Sequence, residues 1–200
     1  MTTETTFRAD FWVLVVGLMV MRTYLIARFH AAGERMMPDR TAVAREGGWL
    51  FVVRVLLFFS LLAGVGVYVF NPPGLGRWLV PLPDWLRWIG FAMAMASLGL
   101  WTWALATLGV EWSPQLRLRE GHRLVTAGPY SRVRHPLYTA MFGYMAGLTL
   151  VTANAVFAVL AAIVIAGFMA RVSKEEQMMI VGFGDEYRAY MQRTGRFFPK

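Results

Sequence analysis

The sequence predicts an all-α, polytopic membrane bundle of about five transmembrane helices, folded as one domain over residues 1–200. Three observations predict it. Hydrophobic residues make up 57% of the chain and charged residues 16%, against about 45–50% and about 25% in soluble domains. The apolar excess is gathered into runs of the length that crosses a bilayer, about 20 residues. The basic residues between those runs fall into alternately rich and poor loops, the pattern that sets membrane topology.

The first run covers residues 11–29 and is interrupted by Arg22. Before it, Glu4 and Asp10 stand against Arg8. That start lacks the basic n-region of a cleavable leader, so the run is expected to stay as a span. The second run covers 49–70 and contains Arg54. Arginine is costly in hydrocarbon, and both are expected to pair within the bundle or to snorkel toward water and headgroups. Asn71-Pro72-Pro73-Gly74 and Pro81-Leu82-Pro83-Asp84 then break the helix, because proline lacks the N–H that a helix interior needs. Trp78, Leu79 and Trp85 beside them suit the membrane interface.

The third run covers 85–108, the fourth 136–151 and the fifth 154–170. The last two are joined by almost nothing and predict a tight helical hairpin. Gly143 and Gly147 put two small residues on one face of the fourth helix, a packing seam. The fifth helix is expected to leave the membrane and run on to about Val181, within a tail of residues 171–200. Gly182-Phe183-Gly184-Asp185 ends it, and Glu186 to Arg193 reads as a short amphipathic helix, either a lid over the preceding loop or a foot on the headgroups.

Orientation follows from the basic residues. Arg28, Arg35, Arg40 and Arg45 lie between the first and second spans. Arg117, Arg119, Arg123, Arg132 and Arg134 lie between the third and fourth. Arg171, Lys174, Arg188, Arg193, Arg196 and Lys200 follow the fifth. The opposite side has Arg8, Arg77 and Arg87. The imbalance predicts an outside N-terminus and a cytoplasmic C-terminus. It also accounts for the net charge of +8 without nucleic acid. The preference for arginine over lysine points to a prokaryote, hence to an inner membrane.

Several chemistries are excluded or unsupported. The chain has no cysteine, so it has no disulfide, thiolate metal site or cysteine nucleophile. His30, His122 and His135 lack metal-ligand spacing. No P-loop or strand-following dinucleotide fingerprint occurs; Gly64-Val65-Gly66 lies inside a span.

Room for aqueous chemistry remains in the loop from Gly109 to His135 and in the tail. His135 precedes Pro136, a residue suited to the first turn of a helix. A lone histidine there could simply cap the helix, but Tyr130, Arg132, Arg134 and Tyr138 crowd around it. Arg171 and Glu175 are four residues apart and share a helix face. They read either as a surface ion pair or as a bifunctional face for an anion and a cation. Gly121 to Tyr130 reads as a plain loop or as turns flanking Leu124-Val125, an adenine-sized apolar slot.

Taken in order, His122-Arg123-Leu124-Val125-Thr126-Ala127-Gly128-Pro129-Tyr130, Arg134-His135-Pro136-Leu137-Tyr138, Glu175-Glu176 and Phe183-Gly184-Asp185-Glu186-Tyr187 resemble the isoprenylcysteine carboxyl methyltransferase family. Phospholipid methyltransferases share the Arg-His-Pro and Glu-Glu parts. The resemblance spans roughly residues 85–200. It implies a helical membrane fold that binds S-adenosyl-L-methionine in a cytoplasmic pocket without a Rossmann sheet. By position, Gln115 corresponds to a cofactor-contacting glutamine. His122, Arg123, Leu124 and Val125 correspond to the adenosine-lining segment, and Tyr130, His135, Pro136, Leu137 and Tyr138 to the pocket at the mouth of the fourth span. Glu175 corresponds to an acidic cofactor ligand and Arg171 to the arginine that orients a substrate carboxylate; these two form the expected catalytic pair.

Arg123 stands where eukaryotic members often carry threonine, and the chain is shorter than theirs. Both departures bear on the acceptor more than on the cofactor. The resemblance implies an enzyme that methylates a lipophilic or prenylated substrate, first an isoprenylcysteine-type carboxylate, among membrane lipids, with neither nucleic acid nor metal. The alternatives are a phospholipid or small-thiol acceptor, an NADPH-dependent membrane reductase of related architecture, and a non-enzymatic channel or assembly subunit.

Overall fold

Helices that must cross hydrocarbon are apolar on every side, because their outer face meets lipid and their inner face meets protein. The computed structural model describes residues 2–31, 62, 65, 66, 68, 70, 78–112 and 123–200. Its helices are α1 (Thr2–Ala31), α2 (Asp84–Leu108), α3 (Pro136–Thr152), α4 (Ala155–Phe183) and α5 (Asp185–Arg193). Leu62, Val65, Gly66, Tyr68 and Phe70 are helical too; the rest of the predicted second span and Arg54 lie outside the described residues. Among the described residues, three helices are long and apolar enough to cross a membrane: Glu4–Arg28, Asp84–Leu108 and Ala155–Phe183. The 17 residues of α3 reach about 25 Å at 1.5 Å per residue, near the lower limit for a span.

α1 begins by Thr2 rather than at Phe11, with Glu4 in its first turn, where a carboxylate suits the helix dipole. Phe7, Phe11 and Leu14 are fully buried along one face, while Trp12, Val13, Val16, Met19 and Val20 are exposed on the other. The early start puts Arg22 about 30 Å from Thr2. It is exposed and lies in the second half of the candidate span Glu4–Arg28.

α2 follows the extended Pro83 and ends at Gly109, whose φ of +52° stops the helix and lets its N–H return to the Leu105 carbonyl. Its face toward α3 is small: Gly90, Ala94 and Ser97 are buried. The seam predicted at Gly143 and Gly147 lies against it. A Cβ on Gly147 would stand 2.5 Å from the Gly90 carbonyl oxygen and 2.8 Å from Ala94 Cβ, and one on Gly143 would strike Ser97 Oγ. Only hydrogen fits at these positions, so the two backbones approach closely. The outer face of α2 carries exposed Trp85, Trp88, Ile89, Met95 and Trp103.

The hairpin between α3 and α4 turns in two residues. Ala153 takes the left-handed conformation at φ 47° and returns its N–H to Thr149 and Leu150. Asn154 then caps α4 by accepting from Val156 N at 2.9 Å. Buried Arg87 closes this end of the bundle. Its Nε and Nη2 donate to the Val151 carbonyl at 3.0 and 2.8 Å, and its Nη1 reaches Glu4 at 2.8 Å. The topology count treats Arg87 as an ordinary flanking charge; the structure uses it to satisfy a last-turn carbonyl of α3.

α4 spans 29 residues without a break, about 43 Å, longer than the roughly 30 Å hydrocarbon core of a bilayer. Gly184, at φ +54°, ends it with its N–H on the Ile180 carbonyl, and α5 follows at once.

Candidate functional site

The opposite end of α3 gathers the polar motifs. Gly128 takes a φ of +55° and opens a short 3-10 turn, Gly128–Ser131, in which Pro129 and Tyr130 are buried. The chain then runs to His135, the N-cap of α3, with Pro136 in the first turn. His135 is buried. The ring of Tyr138, one turn later, stacks on it with centroids 5.6 Å and planes 18° apart.

α4 supplies the acids from the other side. Tyr138 donates its hydroxyl hydrogen to Glu175 Oε2 at 2.7 Å, and the Arg171 guanidinium acts on the same hydroxyl. Arg171 and Glu175 are both half-buried. Glu176 takes the neighbouring direction and is only 3% exposed. It receives Arg134 Nε at 3.0 Å and Arg196 Nε at 3.2 Å, and pairs with His135 Nε2 at 3.3 Å. A second contact joins Arg196 Nη2 to Glu176 Oε2.

α5 closes the arrangement. Its Tyr187 and Tyr190 are buried, and the Tyr190 hydroxyl donates to the Tyr130 carbonyl at 2.6 Å. The amphipathic tail helix therefore lies on the loop, as a lid does. Burial, with the nearby Glu175 carboxylate adding to it, pushes the Tyr130 phenol far above its usual value, so it stays a neutral donor. That hydroxyl is buried and has no hydrogen-bond partner among the described residues.

Tyr130, His135, Tyr138, Arg171 and Glu175 thus fall into one group, with Pro136 buried and Leu137 half-buried beside it. Leu124 and Val125 are half-buried upstream of the turn. Arg123 is exposed, and its amide N–H donates to Glu111 Oε2 at 3.3 Å rather than to the His135 group. Gln115 and His122 lie outside the described residues.

Sequence reasoning missed the depth of Glu176 and the whole C-terminal contribution of Arg196 and Phe197. A signal existed: Val172 and Glu176 are four residues apart and both buried. A carboxylate on an apolar face demands cations, and basic segments are at hand on either side.

The pattern of the isoprenylcysteine carboxyl methyltransferase (ICMT) family matches residues 88–181, from the start of α2 through both acids of α4. The cobalt-zinc-cadmium resistance protein CzcN of Cupriavidus metallidurans is 33% identical over 178 residues, covering 88% of this chain and 73% of that protein. The chain belongs to the isoprenylcysteine carboxyl methyltransferase family. Protein-S-isoprenylcysteine O-methyltransferase B of Arabidopsis thaliana is 29% identical over 146 residues, covering 72% of this chain and 71% of that one. The structure of the eukaryotic intramembrane Ras methyltransferase ICMT superposes with a TM-score of 0.62 at 20% identity, over 98% of this chain and 67% of that chain. The chain therefore has the ICMT fold, and the protein is an integral-membrane enzyme of the methyltransferase class.

Proposed function

We propose that this ICMT-family enzyme uses S-adenosyl-L-methionine to methylate a lipophilic acceptor, foremost an isoprenylcysteine-type carboxylate, at the cytoplasmic rim of a prokaryotic inner membrane. The observation that carries this reading is the meeting of His135, Tyr138 and Glu175 at the mouth of α3, joined by one stacked ring and one hydrogen bond.

The residues present suit the donor's polar groups. Glu175 offers carboxylate capacity for an ammonium or for ribose hydroxyls. The Tyr130 hydroxyl is a buried donor with no partner among the described residues, and a buried donor favours an incoming acceptor. Gln115, His122, Arg123, Leu124, Val125, Pro136 and Leu137 complete the proposed cofactor contacts. When bound, S-adenosyl-L-methionine supplies a methyl group activated by its sulfonium.

The chain's own task is alignment and exclusion of water, the main needs of an in-line displacement. Arg171 holds the acceptor carboxylate by charge-assisted hydrogen bonds. Glu175 and Tyr138 fix the other partner. A carboxylate is already a nucleophile, so no residue has to remove a proton. Aromatic rings wall the site: Tyr138 lies 5.3 Å from Phe168, and Phe142 lies 5.5 Å from Phe197, by centroids.

The test is transfer of labelled methyl from S-adenosyl-L-methionine by the full chain in nanodiscs, with prenylcysteine, phospholipid and thiol acceptors in parallel. Label in prenylcysteine supports the reading. Label only in phospholipid or thiol moves the acceptor class. No label anywhere, with thermal stabilisation by NADPH alone, replaces the reading with a reductase. Topology has its own check: the chain lacks cysteine, so a cysteine at exposed Asp185 should react with impermeant maleimide only from the cytoplasmic face. Reaction from outside would invert the proposed orientation.

A further inference from the structure

Glu175 and Glu176 are adjacent but engage different partners. Glu175 meets Tyr138. Glu176 meets Arg134, His135 and Arg196. On a helix, neighbouring side chains point about 100° apart, so one acid faces the proposed ligand space while the other faces the C-terminal tail.

The tail is tied to the His135 segment along its main chain. The Gly195 N–H donates to the Arg132 carbonyl at 3.1 Å. The Arg134 N–H donates to the Gly195 carbonyl at 2.9 Å, and the His135 N–H to the Arg196 carbonyl at 3.0 Å. Thr139 Oγ1, in the first turn of α3, donates to the Phe197 carbonyl at 2.7 Å. The Phe197 ring lies 6.1 Å from the His135 ring by centroids. Arg134 reaches further, donating from Nη1 to the Met191 carbonyl at 3.2 Å and to the Thr194 carbonyl.

These bonds answer a local need. His135 is the N-cap of α3, at φ −123° and ψ 58°, and makes no side-chain cap. A buried amide at that point needs an acceptor from elsewhere in the chain, and Arg196 provides it. Arg134, with its side chain 8% exposed, would be a buried cation without the Glu176 carboxylate. Tail, loop and α4 therefore lock one another, and His135 sits where the three meet.

We infer that Glu176 and the strap Thr194–Phe197 are positioning elements of the proposed methyl-transfer site. They set the place of the His135 ring, and through its stacking the place of Tyr138 beside Glu175, without touching donor or acceptor. The effect on turnover rests on the function proposed above. The control of His135 geometry does not.

The experiment uses the full chain in nanodiscs, labelled with 13C at histidine. The chain has three histidines, and His135→Gln identifies the signal of interest. Glu176→Gln removes the charge and keeps the shape. Gly195→Ala disturbs the strap alone, since a Cβ there would collide with the Phe198 carbonyl. Phe197→Leu keeps the strap backbone and removes only the ring, and it serves where Glu176→Gln does not fold. The inference predicts a shifted or broadened His135 signal in each variant. It also predicts a loss of about 10- to 100-fold in kcat, the usual consequence of misplaced reacting groups, with S-adenosylhomocysteine affinity reduced less than in Glu175→Gln and partial recovery in Glu176→Asp. An unchanged His135 signal would overturn it. Loss of S-adenosylhomocysteine binding in Glu176→Gln as severe as in Glu175→Gln would also overturn it, by making Glu176 a direct ligand. A wild-type protein that transfers no methyl group would remove the proposed function, and the histidine signal would still decide the positioning role.

Discussion

Tyr138 donates to Glu175 across 2.7 Å, joining segments 37 residues apart, and the same ring stacks on His135. One phenol from the first turn of α3 thereby connects the histidine motif to the acidic motif. Tyr138→Phe keeps the stack and deletes the bond. A hydrogen bond to a charged group contributes about 1.5–3 kcal/mol. The variant should melt at lower temperature and bind S-adenosylhomocysteine about tenfold more weakly, since 1.4 kcal/mol is a factor of ten. Unchanged melting and affinity would mean that the bond does not organise the site.

Arg171 stands one turn before Glu175 on α4 and shares its face. In the proposed division of labour it serves the acceptor. Arg171→Ala should raise KM for a prenylcysteine acceptor by about 10- to 100-fold, the worth of a charge-assisted contact, while S-adenosylhomocysteine affinity holds. Steady-state kinetics with each substrate varied in turn checks this. A rise confined to the donor's KM would reverse the assignment.

The contact between α2 and α3 depends on three glycines, Gly90, Gly143 and Gly147, with no room for a side chain. Gly147→Leu places atoms where Gly90 O and Ala94 stand at 2.5 and 2.8 Å from the first added carbon. Overpacking of this kind costs about 1–3 kcal/mol or more, and thermal unfolding in detergent should show it. Gly99→Ala is the control: nothing lies within 4 Å of its added Cβ, so it should be neutral or slightly stabilising. Equal losses in the two variants would discount the seam.

Arg87 works at the other end of the bundle from His135. Arg87→Ala leaves the Val151 carbonyl without its two donors, a penalty of about 1–3 kcal/mol for a buried acceptor. It also strips a guanidinium lying 3.8 Å from the Phe7 ring centroid. Stability should fall, while the folded fraction keeps its S-adenosylhomocysteine affinity. Denaturation and titration on one preparation would separate the two effects. A parallel loss of affinity would show the ends of the bundle to be coupled.

What could be read from the amino-acid sequence divides along physical lines. Apolar run length marks α2, α3 and α4, because hydrocarbon thickness dictates it. Pro136 and Gly184 mark helix boundaries through backbone geometry that is local to each residue. The beginning of α1 at Thr2 was hidden, since Thr2 to Asp10 are too polar to count as a span, and their helix rests on packing of Phe7 and on the reach of Arg87 to Glu4. The separate roles of Glu175 and Glu176 were hidden as well. Adjacent identical residues differ only in which tertiary partner each one meets, and those partners arrive from positions 134, 138 and 196. The resemblance named Glu175 as a ligand, but the cations that bury Glu176 become visible only when the tail is seen crossing the mouth of α3.

The most direct test of the central claim is titration of the full chain in nanodiscs with S-adenosylhomocysteine, comparing wild type with Glu175→Gln. The account predicts saturable binding to the wild type and a loss of about 10- to 100-fold on removing the carboxylate charge. A wild-type protein that does not bind S-adenosylhomocysteine, or a variant that binds it as tightly, would contradict the claim that the His135 and Glu175 segments close over a methyl donor.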